Sequence, residues 1–154
     1  LYDGYGSFLC LDFVNGVVLD FFLAEEIVAS VFARLPFPGL DLPDVKPMKY
    51  WALFEERHLS PTPSTFHNCR LVIEPSSGIT WWADGERIAG KPYPEFPLGP
   101  FTLGLGIMTE KDITPEGSVS IHGQGVLAEW SPIEITTWNG STCGKGPWTI
   151  NLHS

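Results

Sequence analysis

The side chains in this sequence that could do chemistry are few. Asp12, Ser30 and Arg34 stand among the first apolar runs, and His122 lies in Ile121-His122-Gly123-Gln124-Gly125, where small neighbours leave room for a ligand. A carboxylate, a hydroxyl, a guanidinium and an imidazole, set sparsely in apolar surroundings, can orient and polarise a small organic molecule without a cofactor. Plainer roles are open to two of them: Asp12 as a carboxylate satisfied by Arg34 or a main-chain amide, and His122 as a solvated residue at a strand end. His58, His67, His122 and His153 are too scattered for a zinc set. The acids of Asp41 to Asp44 are too few, and too interrupted by proline, to cage calcium. No phosphate-cradling glycine loop, nucleophile elbow or Cys-x-x-Cys pair occurs. The expectation is a site with neither metal nor cofactor.

Bulk composition narrows the partners. Hydrophobic residues at 44% against 18% charged ones exclude a disordered chain. A net charge of −9 would repel a polyanion, so nucleic acid and anionic membrane are not expected partners. No apolar stretch approaches the ~20 residues that a spanning helix needs. The 14 prolines and 16 glycines fall largely between apolar runs, the pattern of many short strands joined by turns.

The elements that must position Asp12, Ser30 and Arg34 are strands. Ser7 to Val14 and Val17 to Leu23 flank Asn15-Gly16, a strong signal for a two-residue hairpin turn. Ile27 to Leu35 follows; Glu25, Glu26 and Ala29 would permit a helix over Ala24 to Arg34, but Ile27, Val28 and Val31 favour a strand. A two-residue turn pairs Asp12 with Leu19, Cys10 with Phe21 and Phe8 with Leu23 on one face. Val28, Ser30, Phe32 and Arg34 join that face, while Leu9, Leu11, Val18, Asp20, Phe22, Ala29 and Val31 occupy the other. Both faces are largely apolar, whereas an antiparallel sheet with one wet side alternates. Something must cover the second face: another sheet, a missing segment or a ligand. The Asp12 face, with its few polar groups, reads as a pocket walled by Phe21, Phe32 and Trp51, and the Asp20 face as the inter-sheet core.

Farther along, strands are expected at Met48 to Glu55, Phe66 to Glu74, Ile79 to Asp84, Glu86 to Ile88, Phe101 to Thr109, Ser118 to Ile121 and Gly125 to Ile135. The β-domain thus spans 1–135, and 136–154 reads as a tail, mostly loop. Trp81 and Trp82 are adjacent, so one faces in and the other out; an exposed indole could stack on a sugar ring.

The run Arg70-Leu71-Val72-Ile73-Glu74, the turn Ser76-Ser77-Gly78 and Ile79-Thr80-Trp81-Trp82-Ala83-Asp84-Gly85-Glu86 together resemble the recurring hairpin of concanavalin-like lectin and glucanase sandwiches. Phe21-Phe22 through Ala33-Arg34-Leu35-Pro36-Phe37-Pro38-Gly39 is similar to an uncharacterised bacterial and fungal group on that fold. The resemblance covers roughly Tyr5 to Trp130 and implies an all-β antiparallel jelly-roll sandwich. Glycoside hydrolases of family 16 on this fold carry two glutamates and an aspartate alternating on one strand. No such Glu-x-Asp-x-(x)-Glu run occurs here, and Glu25-Glu26, being adjacent, would point to opposite faces of a strand.

Three cysteines cannot all pair within one chain: Cys10 reads as a buried thiol, and Cys69 with Cys143 could form a disulfide if the protein is exported. Asn139-Gly140-Ser141 is a glycosylation sequon and points to the secretory pathway; without export the protein is expected to be soluble and cytoplasmic. The strand-like start at Ser7 leads to the expectation that N-terminal strands precede Leu1, so that a complementary N-terminal fragment, or a second copy, completes the sheet.

Three functions follow as expectations. The first is binding of a small, largely hydrophobic organic ligand in a sandwich cleft, with cofactor-free cyclase or pericyclase chemistry of secondary metabolism through Asp12, Ser30, Arg34 and His122. The second is a secreted, lectin-like carbohydrate-binding protein using Trp81 or Trp82. The third is a mainly structural or interaction domain.

Overall fold

The computed structural model describes residues 5–24, 27–35, 37, 39, 51–58, 66–108, 113–114, 117–118, 128–131, 133–137 and 148–153; the side chains of 5, 51–58, 108, 113–114, 117–118, 137 and 148–153 are outside that description. The described residues are all-β and antiparallel. One five-stranded sheet has the order β4-β3-β2-β1-β8, from β1 (Tyr5–Asp12), β2 (Val17–Leu23), β3 (Ile27–Arg34), β4 (Trp51–His58) and β8 (Thr102–Met108). The other runs β11-β12-β5-β6-β7, from β5 (Asn68–Glu74), β6 (Gly78–Ala83), β7 (Glu86–Lys91), β11 (Glu134–Thr137) and β12 (Trp148–His153). β9 (Ile113–Thr114) and β10 (Gly117–Ser118) form a separate two-stranded ribbon. Among the described residues no helix is long and apolar enough to cross a membrane.

The two sheets share one core. Phe8, Cys10, Val17, Leu19, Phe21 and Val28 of the first sheet pack with Cys69, Leu71, Ile73, Ile79, Trp81, Ala83 and Ala89 of the second. The second sheet alternates as a half-wet sheet should: along β5, Cys69, Leu71 and Ile73 are buried while Arg70, Val72 and Glu74 are only partly so. β2 does not alternate, for every residue from Val17 to Phe22 is buried. The first sheet is therefore covered on both faces. Its outward face forms a second apolar cluster of Val18, Phe22, Ile27, Ala29, Val31 and Ala33, against which Leu9, Leu11, Ala24 and Phe37 pack.

The helix alternative over Ala24 to Arg34 gives way to β3, whose β-branched residues sit between two strands. Turn chemistry separates the two hairpins. Asp84 and Gly85, with φ of 50° and 82°, join β6 to β7 as the Asp-Gly signal predicts. The first hairpin is different. Asp12 pairs with Val17, not with Leu19, and the connection is the four residues Phe13 to Gly16, of which Gly16 takes the positive φ. The register slips by two residues from the expected one. Side chains alternate with a period of two, so every residue stays on its predicted face.

What the slip leaves intact, the packing reverses. The Asp12 face looks onto the second sheet and is the inter-sheet core, while the Asp20 face looks outward. Polar content misleads here because Asp12 and Arg34 sit at strand ends beside the turn, where the rim of a core tolerates them.

The tail needs a second correction. Residues 148–153 form β12, which pairs with β5 from Trp148↔Ile73 to His153↔Asn68 and separates β11 from β5. The alternation Trp148, Ile150, Leu152 against Thr149, Asn151, His153 is the period-two signal of that strand.

Candidate functional site

Asp12 is an anchor for the first turn. Its Oδ1 accepts from the amides of Val14 (2.9 Å) and Asn15 (3.0 Å), and its Oδ2 from Asn15 Nδ2 and the amide of Gly99, both at 2.8 Å. With four donors on a fully buried carboxylate, its acceptor capacity is spent on fixing the turn and the 97–99 loop. Arg34 does not reach it. Its Nε donates to the main-chain oxygen of Asn15 at 2.9 Å, and its guanidinium lies 4.5 Å from the centre of the Phe96 ring. Asn15 Nδ2 also donates to the oxygen of Pro97 at 3.0 Å. Asp12, Asn15 and Arg34 thus form one network that ties the first turn to β3 and to the 97–99 loop.

The remaining expected residues scatter. Ser30 is buried on the inner face, in register with Phe21 and Glu55. It lies four residues from Arg34 along β3, roughly 13 Å at strand rise. Phe21, Phe32 and Trp81 are brought together, with Phe32 and Trp81 edge-to-face at 6.1 Å, but Phe21 and Trp81 are wholly buried members of a packed core. They fill the space that the sequence assigned to a pocket. Trp82 is on the outer face of the second sheet, half-buried, with the Arg70 guanidinium 4.7 Å from its ring centre and its Nε1 donating to Thr80 Oγ1 at 2.9 Å. Trp51 pairs with Arg34 across β4 and β3; its side chain, like His122, Asn139 and Cys143, lies outside the described residues. Cys69 is a buried free thiol rather than a disulfide half-cystine, and burial pushes it up to about 12. Cys10 is likewise free, its thiol raised by burial and then by the nearby Asp20 and Asp12 carboxylates.

The groups that sequence reasoning undervalued are Asp20 and Ser7, both on the outward face of the first sheet. Asp20 is the one charged residue in β2 and is almost fully buried. Its Oδ1 accepts from the amide of Cys10 at 2.9 Å. Its main-chain oxygen accepts from Trp81 Nε1 at 3.1 Å. Burial raises the carboxyl to about 7, against the opposing effect of the Cys10 amide. Ser7 pairs with Phe22 on one side and Gly106 on the other, so its side chain shares the face of Asp20, its diagonal neighbour. The Ser7 hydroxyl is fully buried and has no hydrogen-bond partner among the described residues. Opposite it, a Cβ built on Gly106 would meet nothing within 4 Å. Leu9, Leu11, Val18, Phe22 and Val31 supply the apolar surroundings. A serine inside an apolar strand and an acid in mid-strand were the available signals, but neither reveals which face is inward.

A shallow depression of about 460 Å³ lies on the second sheet, lined by Ser76, Ser77, Gly78, Arg87, Lys91 and Tyr93 among others. Its polar groups are largely engaged: Ser77 Oγ with Glu74, and Tyr93 Oη with the amide of Leu98. Among the described residues no group of three His, Cys, Asp or Glu side chains is placed to hold a metal ion.

No curated protein matches this sequence, and no solved structure matches it. A family model does match, over residues 1–139, and the chain belongs to that family of unknown function, DUF6081.

Proposed function

We propose that the protein binds a small, largely hydrophobic organic molecule bearing a carbonyl or hydroxyl group, held on the outward face of the first sheet beside Ser7 and Asp20. The observation that carries this reading is the buried Ser7 hydroxyl, without a hydrogen-bond partner among the described residues and paired across the strands with Gly106, where a Cβ would meet nothing within 4 Å. A buried polar group left unsatisfied costs about 1–3 kcal/mol, so such a group calls for an explanation. A polar atom of a ligand supplies one. With its carboxyl raised to about 7, Asp20 is partly protonated at neutral pH and able to donate a second hydrogen bond in a region without bulk water. One donor beside an apolar wall orients a substrate and polarises it, which is what a cofactor-free cyclisation or isomerisation asks of a protein. The cleft is thereby relocated from the Asp12 face to the opposite face of the same sheet.

The test is titration with a solvatochromic aromatic ketone, whose emission moves to the blue in a dry site. The wild type is expected to give a saturable blue shift. Ser7→Ala should weaken the dye about tenfold, a loss of one hydrogen bond, while leaving thermal stability unchanged or higher. Emission that neither shifts nor saturates with the wild type would sink this reading. A glycan array run alongside addresses the saccharide alternative, which rests on Trp82 flanked by Arg70 and, in register on β7, Arg87. Saccharide binding lost in Trp82→Ala, without dye uptake, would move the function to that face.

A further inference from the structure

We infer that β8 is a dimerisation edge, along which two copies of the chain pair antiparallel about a two-fold axis and extend the first sheet into a continuous ten-stranded one. Among the described residues, the edges of the two five-stranded sheets are β4, β8, β11 and β7. An exposed edge presents a row of unpaired main-chain groups, and proteins that stay apart blunt it with charge, brevity or proline. Three edges here are blunted: β4 carries Glu55, Glu56 and Arg57, β7 carries Glu86, Arg87 and Lys91, and β11 is four residues long with Glu134 exposed. β8 is seven residues, Thr-Leu-Gly-Leu-Gly-Ile-Met, with neither charge nor proline. No ionisable side chain occurs anywhere from Phe96 to Thr109. In a chain of net charge −9, this is a segment at which a second copy meets no like charge.

The pattern of β8 is also self-complementary. Its register with β1 pairs Leu103, Leu105 and Ile107 with Cys10, Phe8 and Gly6, placing them on the inner face, and Gly104 and Gly106 on the outer one. Leu105 and Ile107 are 43% and 56% exposed although they point to the core side, because the core runs out at this edge. A two-fold axis through Leu105 sets Leu105 against its own copy, Leu103 against Ile107, and Gly104 against Gly106. An apolar ladder then continues the core, and small residues face each other on the other side. A one-residue slip would instead set leucine against glycine and leave the apolar side chains wet, so alternation fixes the register.

Light scattering coupled to size exclusion, and sedimentation velocity over a concentration series, test this on the chain as it stands. The expected mass is twice the 17.0 kDa of one chain, falling to one chain mass in Leu105→Lys and, independently, in Ile107→Lys, with the far-ultraviolet spectrum unchanged. Amide exchange over residues 102–108 should slow as wild-type concentration rises, a readout that stands even if a lysine variant fails to fold. A wild type that stays monomeric at the highest concentration, or a dimer that survives both lysines, overturns the inference. Dye binding that persists in the monomeric variants would separate this interface from the Ser7 site.

Discussion

The indole nitrogen of Trp81 donates to the main-chain oxygen of Asp20 at 3.1 Å, joining the second sheet to the first through the middle of the core. The carboxyl of the same aspartate accepts a hydrogen bond from the amide of Cys10 on the neighbouring strand. Asp20 therefore links three strands from two sheets, and Trp81 is both the largest wholly buried side chain and a specific tie. Trp81→Phe keeps most of the apolar volume but removes the donor, and should cost about 1–3 kcal/mol. Trp81→Ala should cost about 3–5 kcal/mol, and Trp82→Ala clearly less, since Trp82 is half-buried on the outer face. Urea unfolding of the three variants checks the order, and a larger loss at Trp82 would contradict the faces described.

The pH dependence of stability should carry the signature of Asp20. Its carboxyl ordinarily titrates at 3.8 and is raised to about 7 in the folded chain, so between these values the folded state holds a proton that the unfolded state has released. Stability from this group is greatest below about pH 4, falls as pH rises through that window, and stays low above about 7. Asp20→Asn removes the charge and keeps an acceptor for the Cys10 amide. At pH 8 it should be the more stable protein, by on the order of 2–4 kcal/mol, and its stability should change less between pH 4 and 7. Identical pH profiles for the two proteins would refute the assignment.

Asp12→Ala should act on the fold rather than on chemistry. It strips the acceptor from four donors at the first turn and at Gly99, and a loss of roughly 2–4 kcal/mol is expected. Arg34→Ala loses one hydrogen bond and a stacking contact, and should cost less. Thermal melts give the comparison; dye binding by the folded fraction of Asp12→Ala should match the wild type.

Two glycines make a contrasting pair. At Gly78, φ is 102° and a Cβ would stand 2.3 Å from the main-chain oxygen of Lys91, so Gly78→Ala should cost about 2 kcal/mol or more. At Gly106 a Cβ meets nothing within 4 Å, and Gly106→Ala should leave stability within about 0.5 kcal/mol. The added methyl enters the space opposite Ser7, so its effect is expected in ketone-dye affinity instead. A destabilised Gly106→Ala would show that this space is already filled.

The sequence by itself determined the strands from β1 to β8 and, in the first hairpin and β3, which side chains share a face. Apolar runs bounded by turn residues are local signals, and alternation assigns each side chain to a face even when a turn is misread by two residues, as at Asn15-Gly16. Two-sided apolarity of Ser7 to Arg34 likewise announced a sheet buried on both sides, and β2 is so buried. Which face meets the second sheet was decided only by tertiary structure, because burial on either side selects the same apolar residues, and Asp12, Ser30 and Arg34 look like a site until their partners are known. The same holds for β12, which owes its place beside β5 to pairing across more than seventy positions of chain. Satisfaction of polar groups is a property of neighbours, not of residues. It retired Asp12 as chemistry, and among the described residues it left Ser7 as a buried hydroxyl without a partner.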